Sequence, residues 1–207
     1  ERSYRFEYDN LQRLKNALYQ ERPSGGSWGN AGAYDEKNIR YDENGNILSL
    51  QRNAYISGTI ITMDNLSYSY EGNRLSSLSD GGSSTLGVKN LTGSAAAYSY
   101  DESGSLTGDP KKGTTLSYNI LGRTEKVTIT TSAGRYISYT YDATGVLVRK
   151  QQYDNNSLQK TTDYIAGFVY ENGALSYFGM AEGRVRNTGS SLKAEYMVKD
   201  YQGNVRV

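Results

Sequence analysis

A short motif recurs along the chain and constrains its fold more than any other feature of the sequence. Each copy has an aromatic residue or an aromatic pair at i and i+2, an acidic residue or asparagine, a polar turn and an aliphatic residue. We count eight copies in 207 residues, and the residue at the acidic position recurs after 18 to 33 residues. Because the motif persists while its spacing varies, the copies differ in loop length and share one core element.

The aromatic, acidic and glycine positions of these copies form the predicted structural repeat motif. In the first copy, Gln12 stands where the others have glycine. The motif residues are Tyr8, Asp9, Tyr41, Asp42, Gly45, Tyr70, Gly72, Tyr100, Asp101, Gly104, Tyr118, Gly122, Tyr141, Asp142, Gly145, Tyr170, Gly173, Asp200 and Gly203.

Each copy is predicted to form a β-hairpin. Residues at i and i+2 of a strand lie on one face, so Tyr98 and Tyr100 present both rings to the same side. Aspartate can bond the backbone just ahead of it, and glycine adopts the positive φ that such turns need. A lone hairpin is marginal in water, whereas neighbouring hairpins share one aromatic face. The sequence therefore predicts an all-β fold over residues 1–207, a single domain of about eight consecutive hairpins in a twisted or curled antiparallel sheet.

One stretch also fits a helix, and three stretches are predicted as loops or sheet edges. Leu11, Leu14 and Leu18 have helical spacing after Asp9, which is a good N-cap residue. We favour a hairpin there, because the other copies predict the same element. Segments 21–34, 79–97 and 183–194 are rich in Gly, Ser, Ala and Asn, which is typical of loops and edges.

The composition excludes several kinds of chemistry. The chain has no His and no Cys, so it has no imidazole base, thiol nucleophile, thiolate metal site or disulfide. Its net charge is +1 without a basic patch, which argues against a nucleic-acid partner. Apolar runs are far shorter than the about 18 residues of a membrane-spanning helix, so membrane insertion is not expected. We expect no cofactor and no metal.

The repeated units resemble the YD repeats of the RHS family. The matching sequences are YDENGNILSLQR, YSYDESGSLTGDPKKGTTLSYNILGRTEKV, YTYDATGVLVRK, TDYIAGFVYENGALSYF and VKDYQGNVRV, in the order expected just before the end of an RHS shell. A single Tyr-Asp pair is an almost worthless signal. Eight copies together with the closing element at 199–206 are a strong signal for this family, and the resemblance covers almost the whole chain.

The resemblance implies a long β-sheet ribbon that spirals into a hollow shell. In RHS polymorphic toxins and related insecticidal toxin complexes, such a shell encloses a toxin made by the C-terminal end. This sequence departs from the family where Tyr201 and Gln202 replace the usual His-Leu after Lys-Asp. The autoprotease stretch found in some members and the toxin are also absent from these 207 residues.

From the resemblance we expect a non-catalytic structural module, the C-terminal part of a shell that encloses or displays a toxin or effector. Its expected partners are the remainder of the shell and that cargo, and its expected location is secreted or at the cell surface. Sixteen strands would give roughly 75 Å of ribbon, whereas a ring around a small toxin needs roughly 140 Å. The chain is therefore expected to be a fragment of a larger shell.

The acidic residues have both a catalytic and a structural interpretation. Carboxylates such as Asp42 and Asp101 could pair for glycoside hydrolysis or bind Ca²⁺. Each opens a turn in a repeated unit, however, so turn formation is favoured. Asp109-Pro110 imitates part of the autoprotease pattern, but it lies mid-repeat and lacks the Arg that should follow, so a turn is favoured there too.

The aromatic residues leave a second function open, a cell-surface carbohydrate-binding or adhesion module. The tyrosines could stack on sugars, although their placement on one face favours cross-strand ladders. Trp28, in a loop of small residues, is a candidate ligand-stacking ring. Sequons at Asn65, Asn90 and Asn155 are not expected to be functional. An open sheet has exposed edges, so edge-to-edge self-association is also predicted.

Overall fold

The chain folds entirely into β-strands and loops. The computed structural model describes residues 1–83, 85–88 and 97–206, and these contain no helix. They form two compact units, Glu1–Gly113 and Thr114–Val207. The all-β, antiparallel hairpin fold is confirmed, while the prediction of a single domain stays a prediction.

The first unit holds eight strands, counted over its described residues. Six of them form one sheet in the order β1 to β6, and β7 pairs with β8. All these pairings are antiparallel. The strands are β1 (Arg2–Tyr8), β2 (Leu14–Glu21), β3 (Glu36–Tyr41), β4 (Ile47–Ile56), β5 (Thr59–Glu71), β6 (Arg74–Asp80), β7 (Ser99–Tyr100) and β8 (Leu106–Asp109).

The second unit is built from nine strands that follow one another in chain order and pair antiparallel throughout. Such a meander places every odd-to-even connection at one side of the sheet and every even-to-odd connection at the other. The strands are β9 (Thr114–Tyr118), β10 (Thr124–Ile129), β11 (Tyr136–Tyr141), β12 (Leu147–Asp154), β13 (Ser157–Ile165), β14 (Phe168–Glu171), β15 (Ala174–Met180), β16 (Gly183–Asn187) and β17 (Leu192–Tyr196).

The stretch after Asp9 is a hairpin and not a helix. Leu11 lies in the turn, and Leu14 begins β2, which pairs residue by residue with β1. Ala17 and Tyr19 are both about 95% buried (relative exposure 5%), two positions apart. This period of two is that of a strand, and the ladder with β1 supplies the hydrogen bonds that a helix would have made internally.

The loop predictions have three outcomes. Segment 21–34 connects β2 to β3. Segment 79–97 begins within β6, and its positions 84 and 89–96 lie outside the described residues. The prediction for 183–194 was wrong at 183–187, which form β16 between β15 and β17. Arg184 and Arg186 pair with Glu195 on β17, a cross-strand contact that composition does not show.

Few side chains are fully buried among the described residues. The buried apolar residues of the first unit are Ala17, Tyr19, Ala33, Ile39, Leu66 and Leu78, and in the second unit Val169 is buried. Most tyrosines are partly buried. Stability therefore depends on pairs between neighbouring strands more than on a thick apolar core.

A fully buried carboxylate links three segments of the first unit. Asp64 of β5 has no exposed surface, and its Oδ2 lies 2.7 Å from Nη2 of Arg52 on β4. Its Oδ1 accepts a hydrogen bond of 2.7 Å from the Val88 N–H. Both oxygens are thus satisfied, as burial of a charge requires.

Candidate functional site

The repeated turn has one geometry in six of the eight copies. The first turn residue donates its N–H to the carbonyl four residues later, and its own carbonyl accepts from the N–H three residues later. In the copy at Asp42 these bonds run to the Asn46 oxygen at 2.9 Å and from the Gly45 nitrogen at 3.2 Å. The first residues of the six turns are Asp9, Asp42, Asp101, Asn119, Asp142 and Asp200.

The side chain of the first turn residue holds the loop together. Oδ1 of Asp142 accepts hydrogen bonds from the Thr144 and Val146 N–H groups at 2.8 and 3.0 Å. Oδ1 of Asn119 accepts equivalent bonds from Leu121 and Arg123, each at 3.0 Å. Because an amide performs the same task as a carboxylate, the turn requires an acceptor oxygen and not a charge.

Hydrogen bonds lower the pKa of Asp9, Asp42, Asp142 and Asp200. The Asn46 side chain, bonded to the carboxylate, holds the pKa of Asp42 below its ordinary value, and Asn204 does the same for Asp200. Thr144 lowers the pKa of Asp142, and the Arg13 backbone N–H lowers that of Asp9. A carboxylate stabilised in this way is the opposite of a general acid, which needs a raised pKa.

The fourth turn residue has a positive φ in all six copies. Glycine supplies it at Gly45, Gly104, Gly122, Gly145 and Gly203, with φ between 68° and 87°. In the first copy Gln12 adopts 62°. A side chain in this region costs free energy that glycine avoids.

Two copies have shorter turns. The copy at Glu71 closes with Gly72 and Asn73, and the copy at Glu171 closes with Asn172 and Gly173. Within the second unit, the copy at Glu171 lies on the opposite side of the sheet from those at Asn119 and Asp142, because it joins β14 to β15 whereas they join β9 to β10 and β11 to β12. An additional two-residue turn at 166–167 joins β13 to β14 and adds one strand before this copy, which moves its turn to the other side of the sheet. Tyr170 consequently lies in β14, opposite Leu175.

In at least four of the copies the motif tyrosine links its hairpin to the one before it. The Tyr41 hydroxyl donates a hydrogen bond of 2.8 Å to the Leu14 carbonyl, and the Tyr70 hydroxyl donates one of the same length to the Ile47 carbonyl. Tyr100 bonds Leu75 at 2.9 Å, and in the second unit Tyr141 bonds Thr124 at 2.9 Å. We call this contact the tyrosine latch: it joins the last tyrosine before a turn to the start of the preceding return strand.

The accepting carbonyl is one that its own hairpin leaves free. In the first copy Tyr8 pairs with Leu14, and the hydrogen bonds of the turn flank this pair. In such a non-hydrogen-bonded pair the carbonyl points away from the partner strand. The next tyrosine supplies its donor. Burial raises the pKa of the Tyr70 phenol, so its hydroxyl remains a donor over a wide pH range.

Arginines after the turn strengthen the same contact. The Arg13 guanidinium carbon lies 4.6 Å from the centre of the Tyr41 ring, and its Nη1 donates to the Asp42 carbonyl at 3.1 Å. The Arg74 guanidinium lies 5.9 Å from the Tyr100 ring centre. Sequence reasoning missed both the latch and these arginines. A signal was present, since Arg13, Arg74 and Arg123 all directly follow a turn.

Other tyrosines form cross-strand aromatic pairs. Tyr136 and Tyr153 stack with ring centres 4.3 Å apart and planes 14° apart. The Lys126 ammonium lies 4.0 Å from the centre of the Tyr136 ring. In the first unit, burial raises the pKa of Tyr98 to about 12.

The remaining candidate residues are dispersed. Trp28 is 45% exposed in the loop between β2 and β3. Asp109 is buried at a turn, where its Oδ1 accepts hydrogen bonds from the Lys111 and Lys112 N–H groups at 3.0 Å. Asn65 lies in β5 and Asn155 in a turn, whereas the Asn90 sequon lies outside the described residues.

The clefts and acidic groups offer little for chemistry within the described part of the chain. A cleft of about 500 Å³ is lined by residues that include Tyr19 and Asp35. The Asp35 carboxylate is already engaged, by the Tyr19 N–H at 2.8 Å and by Lys37 at 3.4 Å. No group of three or more Asp and Glu side chains in the described ranges is arranged to hold a metal ion. Those ranges also hold no helix of membrane-spanning length and hydropathy.

Comparison with known proteins gives weak structural similarities alone. No family model and no curated protein matches the sequence. The fold is similar to part of a crystal structure of TcdB2–TccC3–TEV, at 15% identity and a TM-score of 0.36, over 99% of this chain and 14% of that one. It is similar to a Tc holotoxin pore from Photorhabdus luminescens with the same identity and coverage, at a TM-score of 0.37. A TcdB2–TccC3 structure without its hypervariable C-terminal region aligns at 13% identity and 0.32, and this chain spans 16% of its length. At these TM-scores the similarities establish neither a shared function nor a shared partner.

The positive φ of Gln12 gives a first prediction. Gln12→Gly should raise the free energy of unfolding by about 1 kcal/mol, because it removes a side chain from the left-handed region. The matched control is Gly45→Gln, at the same turn position with no other atom within 4 Å of an added Cβ, which should lower the free energy of unfolding by about 1 kcal/mol. Urea unfolding measures the stability of both variants. Equal changes in the same direction would contradict the conclusion that a side chain at this positive-φ position costs stability.

The tyrosine latch gives a second prediction. Tyr70→Phe keeps the ring and removes the hydroxyl, so the Ile47 carbonyl loses its donor and the free energy of unfolding should fall by about 1 kcal/mol. The control is Tyr201→Phe, since that side chain is 95% exposed and its change should stay within about 0.5 kcal/mol. An equal decrease in the free energy of unfolding in both variants would mean that the latch hydrogen bond contributes nothing to stability.

The turn carboxylates give a third prediction, on pH. The folded pKa values of Asp42 and Asp142 lie below the ordinary 3.8, so the stabilisation from these two carboxylates is present above 3.8 and is lost as pH falls through the lower folded pKa. Asp142→Asn should therefore reduce stability more at pH about 7 than at pH about 2.5. Asn119→Asp should show the reverse effect, with a gain in stability that is larger at pH about 7 than at pH about 2.5. A pH-independent difference for Asp142→Asn would show that its charge plays no part.

Proposed function

We propose that this chain is a structural repeat module that performs no chemistry, the C-terminal part of an RHS/YD-repeat shell around or beside a toxin or effector. The observation that carries the proposal is the tyrosine latch. It connects a hairpin to the preceding one by the same bond in at least four of the copies, as in Tyr41 to Leu14 and Tyr141 to Thr124. A contact of this kind extends a ribbon hairpin by hairpin, and a shell wall needs such a ribbon.

The motif side chains form hydrogen bonds to the backbone of the chain itself, which supports a structural role and not an enzymatic one. The turn aspartates use their oxygens on backbone N–H groups, as Asp9 does with Leu11 and Arg13 at 2.9 Å. The latch tyrosines use their hydroxyls on backbone carbonyls. The repeated residues are thus directed at the chain itself and not at a common cavity.

The proposal includes partners and a location. The remainder of the shell would contact the sheet edges, and the toxin or effector would lie against one face of the ribbon. Shells of this family act outside the cell that makes them, so we place the module among secreted or cell-surface proteins. These assignments come from the resemblance of the repeated sequences.

The experiment that tests the proposal uses the whole native gene. We expect further Tyr-Asp copies upstream of residue 1 and a core-and-cargo region downstream of residue 207. The purified full product, with a reporter fused at its C-terminal end, should protect that reporter from protease until the shell is denatured. A gene with neither flanking region, or a reporter cleaved as fast as the free reporter, would refute the shell role. Intact mass after long incubation should show one species for the present chain.

Carbohydrate binding remains the second candidate function. Trp28 and Tyr34 are 45% and 43% exposed, and both lie in the segment between β2 and β3. Exposed aromatic rings stack on sugars. A glycan array probed with the wild type and with Trp28→Ala decides between the candidates. Signals lost in the variant would favour binding, and silence for the wild type would eliminate it.

A further inference from the structure

Exposed apolar side chains of the second unit gather at one edge of its sheet, where the turns lie. Ile120 and Leu121 form the tip of the β9–β10 turn, and Ile120 is fully exposed. Val146 follows the β11–β12 turn and is 59% exposed, while Ile165 and Phe168 flank the β13–β14 turn and are 59% and 40% exposed. These three turns each join an odd strand to the next even one, so they share one edge. We call these five residues the apolar rim.

The turns at the opposite edge of the same sheet are polar. They occupy 130–135, 155–156, 172–173 and 188–191, and they contain threonine, serine, asparagine and glycine with one alanine and one arginine. Leu158 and Leu192 are exposed near that edge, but each lies within a strand. Apolar side chains that cluster at the turns of one edge alone mark that edge as a contact surface.

Turn formation gives no reason for the apolar tip at Ile120 and Leu121. The turn requires the acceptor oxygen of Asn119 and the positive φ of Gly122, and the tip of the copy at Asp42 is instead Glu-Asn. Asn119 is also the one amide among the six first turn residues. Because the first position of this turn carries no carboxylate, its tip can enter a contact without desolvating that charge.

The apolar rim is too small to hold a free partner. Stable interfaces between separate molecules bury roughly 800 Å² and about 20 to 30 residues on each side. The rim offers five large side chains along about 24 Å, the width of six strands about 4.8 Å apart. A contact of this size is stable when both surfaces belong to one chain, because the linkage raises their effective concentration. The rim therefore fits a segment of its own polypeptide better than a second copy or a separate protein.

The spacing of the rim fits the edge of another stretch of the same ribbon. Turns recur at this edge after every second strand, so the apolar tips follow one another at about 10 Å. Any other run of consecutive hairpins has turns at the same interval, and its tips can lie between those of the rim. A cargo without hairpin repeats has no such period.

We propose that the apolar rim packs on the turn edge of a neighbouring coil of the same ribbon, formed by repeats upstream of residue 1. The inference rests on the proposed shell function and adds which edge of the second unit faces that coil. A ring of roughly 140 Å holds roughly 29 strands. Since 207 residues form 17 strands here, at about 12 residues for each, the contacted repeats should lie roughly 350 residues before the rim.

Site-specific photocrosslinking in the full product of the native gene tests the contact. The photoreactive amino acid benzoylphenylalanine replaces Ile120 in one variant and Ala133, an exposed turn residue of the opposite edge, in the matched control. After irradiation and digestion, mass spectrometry should find position 120 joined to repeats of the same polypeptide roughly 350 residues upstream. Position 133 should give no crosslink to those repeats.

A charge on the rim gives a second measurement. Ile120→Asp should speed limited proteolysis of the full product about tenfold or more, because the contact buries this side chain and a charge there opposes closure. In the chain of residues 1–207 the same substitution should leave the urea midpoint unchanged, since Ile120 is fully exposed there. Ala133→Asp, the matched control, should change neither measurement.

The outcomes separate this inference from the shell proposal. Crosslinks from position 120 to the region downstream of residue 207 or to a second molecule would overturn the inference, as would equal crosslinking from position 133. If the reporter fused at the C-terminal end is protected while position 120 gives no crosslink, the shell proposal stands and the inference fails. If the gene has no upstream repeats and the reporter is cleaved freely, both fail.

Discussion

The hydrogen bond from a tyrosine hydroxyl to the carbonyl of the preceding hairpin is the contact on which the rest of this structure depends. A hairpin leaves alternate carbonyls pointing outward, and a phenol brings both a large apolar ring and one donor. When Tyr70 covers the start of β4, the ring shields the strand and the hydroxyl satisfies the Ile47 carbonyl. One side chain thus supplies both buried apolar area and a hydrogen bond between strands. In most globular domains the hydrophobic core provides the first and the backbone hydrogen bonds of the sheet provide the second. This explains how a chain with few fully buried side chains, and a mean hydropathy of −0.69, forms extended sheets.

The turn determines which carbonyl faces outward. An acceptor oxygen at the first position and a positive φ at the fourth fix the loop, and a register shift follows beside the tyrosine, as between Glu7 and Tyr8. In a strand a slip of one residue reverses the face of every side chain. The turn chemistry and the latch are therefore coupled, since each tyrosine reaches its acceptor only if the preceding turn has set the register. Asn119 shows that the charge of aspartate is secondary to its geometry.

Several features could be predicted from the sequence because they are local. The spacing of aromatic residues indicated strands, and the Asp and Gly that open and close the loop indicated the turn. Even the unusual Gln12 was recognisable, as the one copy without glycine at that position. The errors concern contacts distant in sequence. Segment 183–187 has a loop-like composition but is a strand, because β15 and β17 flank it and Glu195 pairs with its arginines. The copy at Glu171 keeps the motif but lies on the other side of the sheet, because an extra turn at 166–167 precedes it.

The sequence by itself determined the fold class and the hairpin unit, since strand period and turn chemistry act over a few residues. It also excluded imidazole and thiol chemistry, because those side chains are missing. Only the tertiary structure decided what the tyrosines do. Their hydroxyls find acceptors 17 to 27 residues away, on strands that become neighbours when consecutive hairpins pair. Tyr41, Tyr70 and Tyr100 are partly buried and Tyr8 is 54% exposed, although their local sequences match, because burial depends on the strand alongside and not on the residue.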